Sequence, residues 1–278
     1  MTKAQYKKWY LKQLRAYERT TSSIVKKHLK NTLIKVAKQK PTQENYKILL
    51  EKEINNKAIL KMLLEVYETV GVIHGNKIYR GINDNTMTVK AFSPALFIKS
   101  FGRAVFEFLT LFAGENITSI KKTFVEAVIN YIAERNDTGK SIQVITNEMV
   151  RKFGTKTGLY KWQIMRITRT ETGAAANFAS NKAMEDADVV VDKMWISADD
   201  HRVRNGSAKG EYNHEAMNGI TIPYDKYFEV PQNEGDPDRV KHPIDIRGKA
   251  GNIINCRCTT APVPRRDKNG RLVLKKNN

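Results

Sequence analysis

Ile253-Ile-Asn-Cys-Arg-Cys258 holds both cysteines of this 278-residue chain. Read as a strand, the stretch turns residues two apart to one side, so Cys256 and Cys258 would present their sulfurs together. Upstream lie other short extended pieces. Val189-Val-Val-Asp-Lys-Met-Trp-Ile196 is rich in β-branched residues and reads as a strand. Gly219-Ile-Thr-Ile222 and Tyr227 to Val230 read as shorter ones, and Pro231, Gly235, Pro237 and Pro243 separate them from the cysteines. Beyond Pro264 the basic run from Arg265 reads as a mobile tail, with Leu272-Val-Leu274 as a segment able to dock.

Everything before Ala187 reads as helical. Tyr6, Tyr10, Leu14 and Tyr17, then Val25, Leu29, Leu33 and Val36, recur at helical spacing, with Thr20 to Ser23 as a point of interruption. Pro41-Thr42 opens a second helix that runs through Tyr46, Leu50, Ile54, Ile59, Leu63 and Val66 to Gly71. Gly75, Gly81 and Asn83-Asp-Asn85 mark 72–93 as an irregular connector or short hairpin. Further helices are predicted from Ser93-Pro94 to Gly114, from Thr118 to Glu134, from Ser141 to Phe153 and over about 158–185. The fold class is α+β, a helical N-terminal two-thirds followed by a small β-rich module. The expected divisions are 1–92 (basic helices and connector), 93–185 (helical domain), 186–264 (β-rich module) and 265–278 (basic tail).

The formal net charge of +19 is concentrated at the ends. Residues 1–40 hold 12 Lys and Arg against Glu18 alone, and residues 239–278 hold 11 against Asp245 and Asp267. The middle is nearly neutral. Such a distribution suits a polyanion, nucleic acid before membrane. Candidate DNA-contacting residues are Lys7, Lys8, Lys12, Arg15, Lys26, Lys27 and Lys30 near the start, and Arg265, Arg266, Lys268, Lys275 and Lys276 near the end. The chain contains no apolar run of about 18 residues and no leader-like apolar core, so a soluble protein made in the cytoplasm is expected, with no membrane partner.

Two constellations carry the chemistry. On a helix, Arg166 and Arg169 share a face while Glu171 points about 160° away from Arg169. Glu171 is therefore a candidate to pair with the β-rich module, for instance with an arginine of the Asp199-Asp-His-Arg-Val-Arg204 turn. Arg166, Arg169, Glu171, Trp195, Asp199, Arg204 and His214 together form the expected structural network. Cys256, Cys258 and His214 are candidate metal ligands, with Asp199, Asp200, His201 or His242 as the fourth. Plain packing of two buried thiols, structural zinc and catalytic metal are the three readings of that group. Beyond possible zinc no cofactor is called for, since phosphate-loop, nucleophile-elbow and dinucleotide motifs are all missing.

From about Thr138 to Pro264 the chain resembles the phage head morphogenesis family, the Mu F-like minor capsid proteins. The resemblance rests on an ordered set: Thr138-Gly-Lys-Ser141, Arg166, Arg169-Thr-Glu171 with Asn177, Lys193-Met-Trp195, Asp199 to Arg204, His214 to Gly219, Pro231, and Asn255-Cys-Arg-Cys258. It implies a virion protein present in few copies inside the capsid at the portal vertex, assembled in the host cytoplasm and implicated in genome packaging or ejection. The portal protein and double-stranded viral DNA are the implied partners, with major capsid or scaffolding protein as further ones. The expectation is of a protein without catalytic residues, not an enzyme. The alternative is a metal-dependent nuclease or a delivered effector enzyme using His214, Glu215, Asp199 and the cysteines.

Overall fold

The computed structural model describes residues 1–83, 94–136, 139–155 and 161–275. In chain order the elements are α1 (Lys3–Lys38), α2 (Tyr46–Glu53), α3 (Asn56–Val66), a π turn (Tyr67–Gly71), α4 (Val72–Asn83), α5 (Pro94–Phe112), α6 (Gly114–Asn136), α7 (Ile142–Arg151) and α8 (Lys161–Asp186). Then follow β1 (Val191–Ile196), β2 (Thr221–Pro223), β3 (Phe228–Gln232), β4 (Gly235–Val240), a single turn α9 (Ala250–Ile253) and β5 (Thr259–Pro264). The chain is α+β. No helix among the described residues is long and apolar enough to cross a membrane.

The chain packs as two compact units, each gathered from separated stretches. One comprises Arg19–Glu65 and Glu107–Thr168; the other comprises Met1–Glu18, Val66–Phe106 and Arg169–Asn278.

The first of these is helical. Val25, Leu29, Leu33 and Val36 of α1 are buried in it, as their spacing predicts. The expected interruption at Thr20–Ser23 does not occur, and α1 runs unbroken. Thr21 is fully buried four residues after Tyr17, so packing of that face outweighs the weak helix propensity of the Thr-Ser run. The helix predicted through Gly71 is instead divided at Ile54-Asn55. Asn55 Oδ1 accepts from the Ala58 amide at 3.0 Å and starts α3 afresh. Ser141 caps α7 in the same way, accepting from the Val144 amide. Glu65 takes Lys27 and His28 at 2.5 and 2.7 Å, and Arg166 donates to Thr123 Oγ1 at 2.9 Å.

The other unit holds the strands. A three-stranded antiparallel sheet in the order β2-β1-β5 pairs Trp195 with Thr260 and Met194 with both Thr221 and Ala261. β3 and β4 form a separate antiparallel ribbon, with Phe228 opposite Val240. β4 was not expected, because Gly235 and Pro237 read as breakers. The ribbon's register shifts between Val230 and Gln232, so Pro237, which has no amide to donate, falls at the irregularity rather than in the ladder.

Three further expectations are corrected here. Residues 72–83, read as irregular, form α4. His74, Ile78 and Ile82 recur every four residues and are buried, and that burial outweighs the cost of Gly75 and Gly81. The part of the connector at 84–93 lies outside the described residues. Ile253 to Cys258 is not a strand: α9 ends at Ile253, and β5 begins only at Thr259. The tail described as mobile is docked up to Lys275. Val190 donates to the Val273 carbonyl at 2.8 Å, Lys275 to the Asp188 carbonyl at 2.8 Å, and Leu274 bridges to Val189.

His74 sits among aromatic rings, stacked with Trp9 at 5.6 Å and edge-on to Tyr10 and Tyr17, with Nε2 3.0 Å from Ser180 Oγ. Burial first, then the Lys77 charge, lowers its pKa to about 3. The unfolded chain takes up a proton at this residue near pH ~6.5 that the folded chain refuses until near pH 3. The stability it supports is complete above that range and drains away as pH falls through it. His74→Gln should therefore flatten the decline in melting temperature between about pH 7 and 4 relative to the unsubstituted chain. An unchanged slope would contradict this account.

Candidate functional site

Helix α8 is buried almost all round from Ile167 to Ser180, and one row of it docks on the segment leading into β5. Thr170, Gly173 and Asn177 are three and four apart, hence on one face. Thr170 Oγ1 accepts from the Asn255 amide at 3.1 Å. At Gly173 a Cβ would meet the tip of the Ile244 side chain and stand 3.7 Å from the Cys256 carbonyl oxygen, so a side chain here would have to displace Ile244. Asn177 donates to the Cys258 carbonyl at 3.1 Å and accepts from Thr259 Oγ1 at 2.9 Å. Asn255 itself holds φ +58, in the left-handed region that asparagine tolerates. The Arg-Thr-Glu stretch and the Asn-Cys-Arg-Cys stretch, about 85 residues apart in sequence, are thus packed against each other.

The two cysteines still converge, although not by strand alternation. His214 Nδ1 lies 3.4 Å from Cys256 Sγ and 3.6 Å from Cys258 Sγ, and all three side chains are buried. On the far side of the ring Nε2 is 2.7 Å from Asn252 Oδ1, and Asn252 Nδ2 donates to Asp238 Oδ2 at 2.8 Å. Trp195 stands edge-on to the His214 ring at 5.7 Å. Burial pushes the Cys256 thiol up, but its neighbours Cys258 and His214 more than offset this and hold it low. Cys256, followed by burial, pushes Cys258 up. Among the described residues, this is the group of three His, Cys, Asp or Glu side chains whose ligand atoms lie together.

The other expected ligands go elsewhere. Asp199 takes Lys7 at 2.7 Å, and Asp200 takes Arg257 at 2.5 Å; that bond, helped by the Arg202 amide and opposed by burial, brings its pKa to about 2. His242 Nδ1 is 3.1 Å from the Pro243 carbonyl oxygen, and burial lowers its pKa to about 4. Asp199, Asp200, His201 and Glu215 line an open cleft of about 380 Å³ with Ser197, Val203 and Asn205. Glu215 is exposed, so adjacency to His214 in sequence does not bring it to the cysteines.

Arg204 gives its guanidinium to the carbonyls of Asn252 and Ile254, at 3.2 and 2.6 Å, bracing the approach to Cys256. Arg166 belongs to the helical unit, whereas Arg169 lies in this one. Glu171 is buried, and its charge adds to burial in raising the Tyr67 phenol. The acid that responds to Arg169, Arg257, Arg15 and Arg202 together is Glu18, although burial pushes its pKa up overall. Sequence reading passed over Glu18, whose only signal was its isolation among basic residues. It also missed Asn252 and Asp238, which carry no motif, and Lys193 as a buried group. Lys193 Nζ donates to the carbonyls of Tyr224 and Lys241 at 2.7 Å each, and burial lowers its pKa to about 7.

Of the candidate DNA contacts, Lys8, Lys12 and Arg15 are exposed on the first turns of α1. Lys7 and Lys27 are engaged by Asp199 and Glu65, and Lys26 and Lys30 are half-buried. Arg265 forms a two-pronged pair with Asp192 at 2.6 and 2.8 Å, and Lys275 donates to the Met184 and Glu185 carbonyls near the end of α8. Arg266 and Lys268 are exposed. Lys276 and Thr138 lie outside the described residues.

No protein-family model matches this chain, and no solved structure does. The chain is similar to the NAD(+)–arginine ADP-ribosyltransferase EFV of Enterococcus faecalis, 26% identical over 119 residues. The match covers 42% of this chain and 22% of that protein, so the chain spans about a fifth of the relative's length. This likeness corrects the expectation that the chain is not an enzyme, because the relative is named for an enzymatic activity.

Asn177→Ala removes the donor to the Cys258 carbonyl and the acceptor of Thr259, leaving both buried and unpaired. The expected loss is about 2–4 kcal/mol of unfolding free energy in urea. A loss within about 0.5 kcal/mol, the range of an ordinary surface substitution, would contradict the docking described.

Proposed function

We propose that the chain is a minor capsid protein of the head morphogenesis kind, placed at the portal vertex inside a tailed-phage head and in contact with packaged double-stranded DNA. The observation that carries this reading is the packing of the ordered set. Thr170 and Asn177 meet Asn255 to Thr259, and His214 meets both cysteines, so these members of the ordered set are in contact within the strand-bearing unit. The portal protein is the proposed partner, with major capsid or scaffolding protein beside it. For DNA, Lys8, Lys12 and Arg15 are the proposed contacts, an exposed basic row at spacings of four and three.

A delivered effector enzyme is the second reading. The likeness to an arginine ADP-ribosyltransferase favours it. On this reading an arginine nitrogen of the acceptor would take the ADP-ribose of NAD⁺, with the bond to nicotinamide broken, nicotinamide released and the arginine proton lost to solvent. The open cleft at Asp199, Asp200, His201 and Glu215 is the proposed place to search for that chemistry.

Two measurements separate the readings. Co-purification with a portal ring from cells making procapsids, without transfer of label from NAD⁺ to an arginine-bearing protein, supports the head protein. Label transfer that Glu215→Gln abolishes supports the enzyme and overturns the first reading. DNA contact has its own test: neutralising about six phosphates gives a slope of about −5 in log Kobs against log salt concentration. Lys8→Glu with Lys12→Glu and Arg15→Glu should make that slope shallower and weaken binding on every sequence. Salt-independent binding would contradict the assignment.

A further inference from the structure

We propose that His214, Cys256 and Cys258 bind one zinc ion, which fastens the Arg204–His214 loop and the Asn255–Cys258 segment together beside β1. A bond of about 2.05 Å to an imidazole nitrogen and one of about 2.3 Å to a thiolate place those two atoms about 3.6 Å apart on a tetrahedron. Nδ1 lies 3.4 and 3.6 Å from the two sulfurs. One nitrogen lone pair can accept only one S–H hydrogen bond well. Two sulfurs within 3.6 Å of the same nitrogen form a triangle of the size that a cation fills.

The ring is also held in the form that a metal needs. Asp238 Oδ2 only accepts, and it receives both the Lys249 amide and Asn252 Nδ2 at 2.8 Å. That fixes the Asn252 amide with Oδ1 toward His214, so Nε2 carries the proton and Nδ1 presents its bare lone pair to the sulfurs. A carboxylate–amide–histidine chain of this kind orients ligands in metal sites. Arg204 fixes the carbonyls of Asn252 and Ile254 from the other side.

Both sulfurs bind as thiolates, any thiol proton leaving to solvent, and binding involves no redox change. Three protein atoms leave one tetrahedral position for water. The three ligand residues are at most 4% exposed, and this burial is the ground for assigning the ion a holding role. The inference is independent of the functional reading, since a head protein and an effector enzyme could each carry such a staple.

The test uses the full chain, purified without chelator. About one zinc per chain is expected by elemental mass spectrometry. After removal of zinc under reducing conditions, cobalt(II) should give thiolate-to-metal charge-transfer absorption that zinc then abolishes. Cys256→Ser, Cys258→Ser and His214→Gln should each reduce the bound metal to a small fraction. Asn252→Ala keeps all three ligands and should weaken affinity by about 10–100-fold. Chelation should lower the melting temperature. The cobalt spectrum of the unsubstituted chain does not depend on any variant folding. Absence of that absorption in the reduced, folded chain would overturn the proposal, as would zinc content unchanged in both serine variants. An unmoved melting temperature after metal loss would overturn the stapling role.

Discussion

The strand-bearing unit depends on the close approach of α8 to the segment that enters β5. At Gly173 the space that a side chain would fill is taken by Ile244. Thr170 and Asn177, one turn to either side, spend their side chains on Asn255, Cys258 and Thr259. Those bonds fix where β5 starts. Because β5 is paired along its whole length with β1, they also fix the register of Trp195 and the rest of the central strand. Ile244 holds φ +59, a conformation that β-branched residues avoid, and its side chain occupies the space that Gly173 leaves empty. Strain at one residue and absence of a side chain at another are two halves of one contact.

Charge has two distinct uses in this chain. On the first turns of α1, Lys8, Lys12 and Arg15 face solvent and are available to an anionic partner. Several arginines beyond α8 are committed instead: Arg204 to carbonyls, Arg257 to Asp200, Arg265 to Asp192, and Arg247 to the fully buried Asp245. The basic end of the chain is therefore less of a free polyanion surface than its composition suggests. Arg265 and Lys275 hold the last segment down rather than reaching outward.

The helical part of the fold was legible because burial follows spacing. Tyr6, Tyr10, Leu14, Tyr17, Val25, Leu29, Leu33 and Val36 are all buried, as their recurrence implies. What misled was local punctuation. Gly75 and Gly81 read as breaks but lie within α4, whose buried stripe sets the outcome, and Pro237 reads as a stop but sits where β4 leaves the ladder. The cysteine pair was legible as a pair although the strand argument behind it does not hold. The sulfurs meet at His214 because the Asn255 kink and the Arg204 brace shape an irregular segment, and no periodicity encodes that. Glu18, Asn252 and Asp238 were illegible for a related reason: their roles come from partners distant in the chain.

The central claim is that the two separated motifs hold each other through specific side-chain bonds. A double-mutant cycle on Asn177 and Thr259, each replaced singly and together by alanine, measures it most directly. The account predicts a coupling free energy of about 1–2 kcal/mol, within the range for buried residues in contact. Additive losses, with coupling indistinguishable from zero, would contradict it.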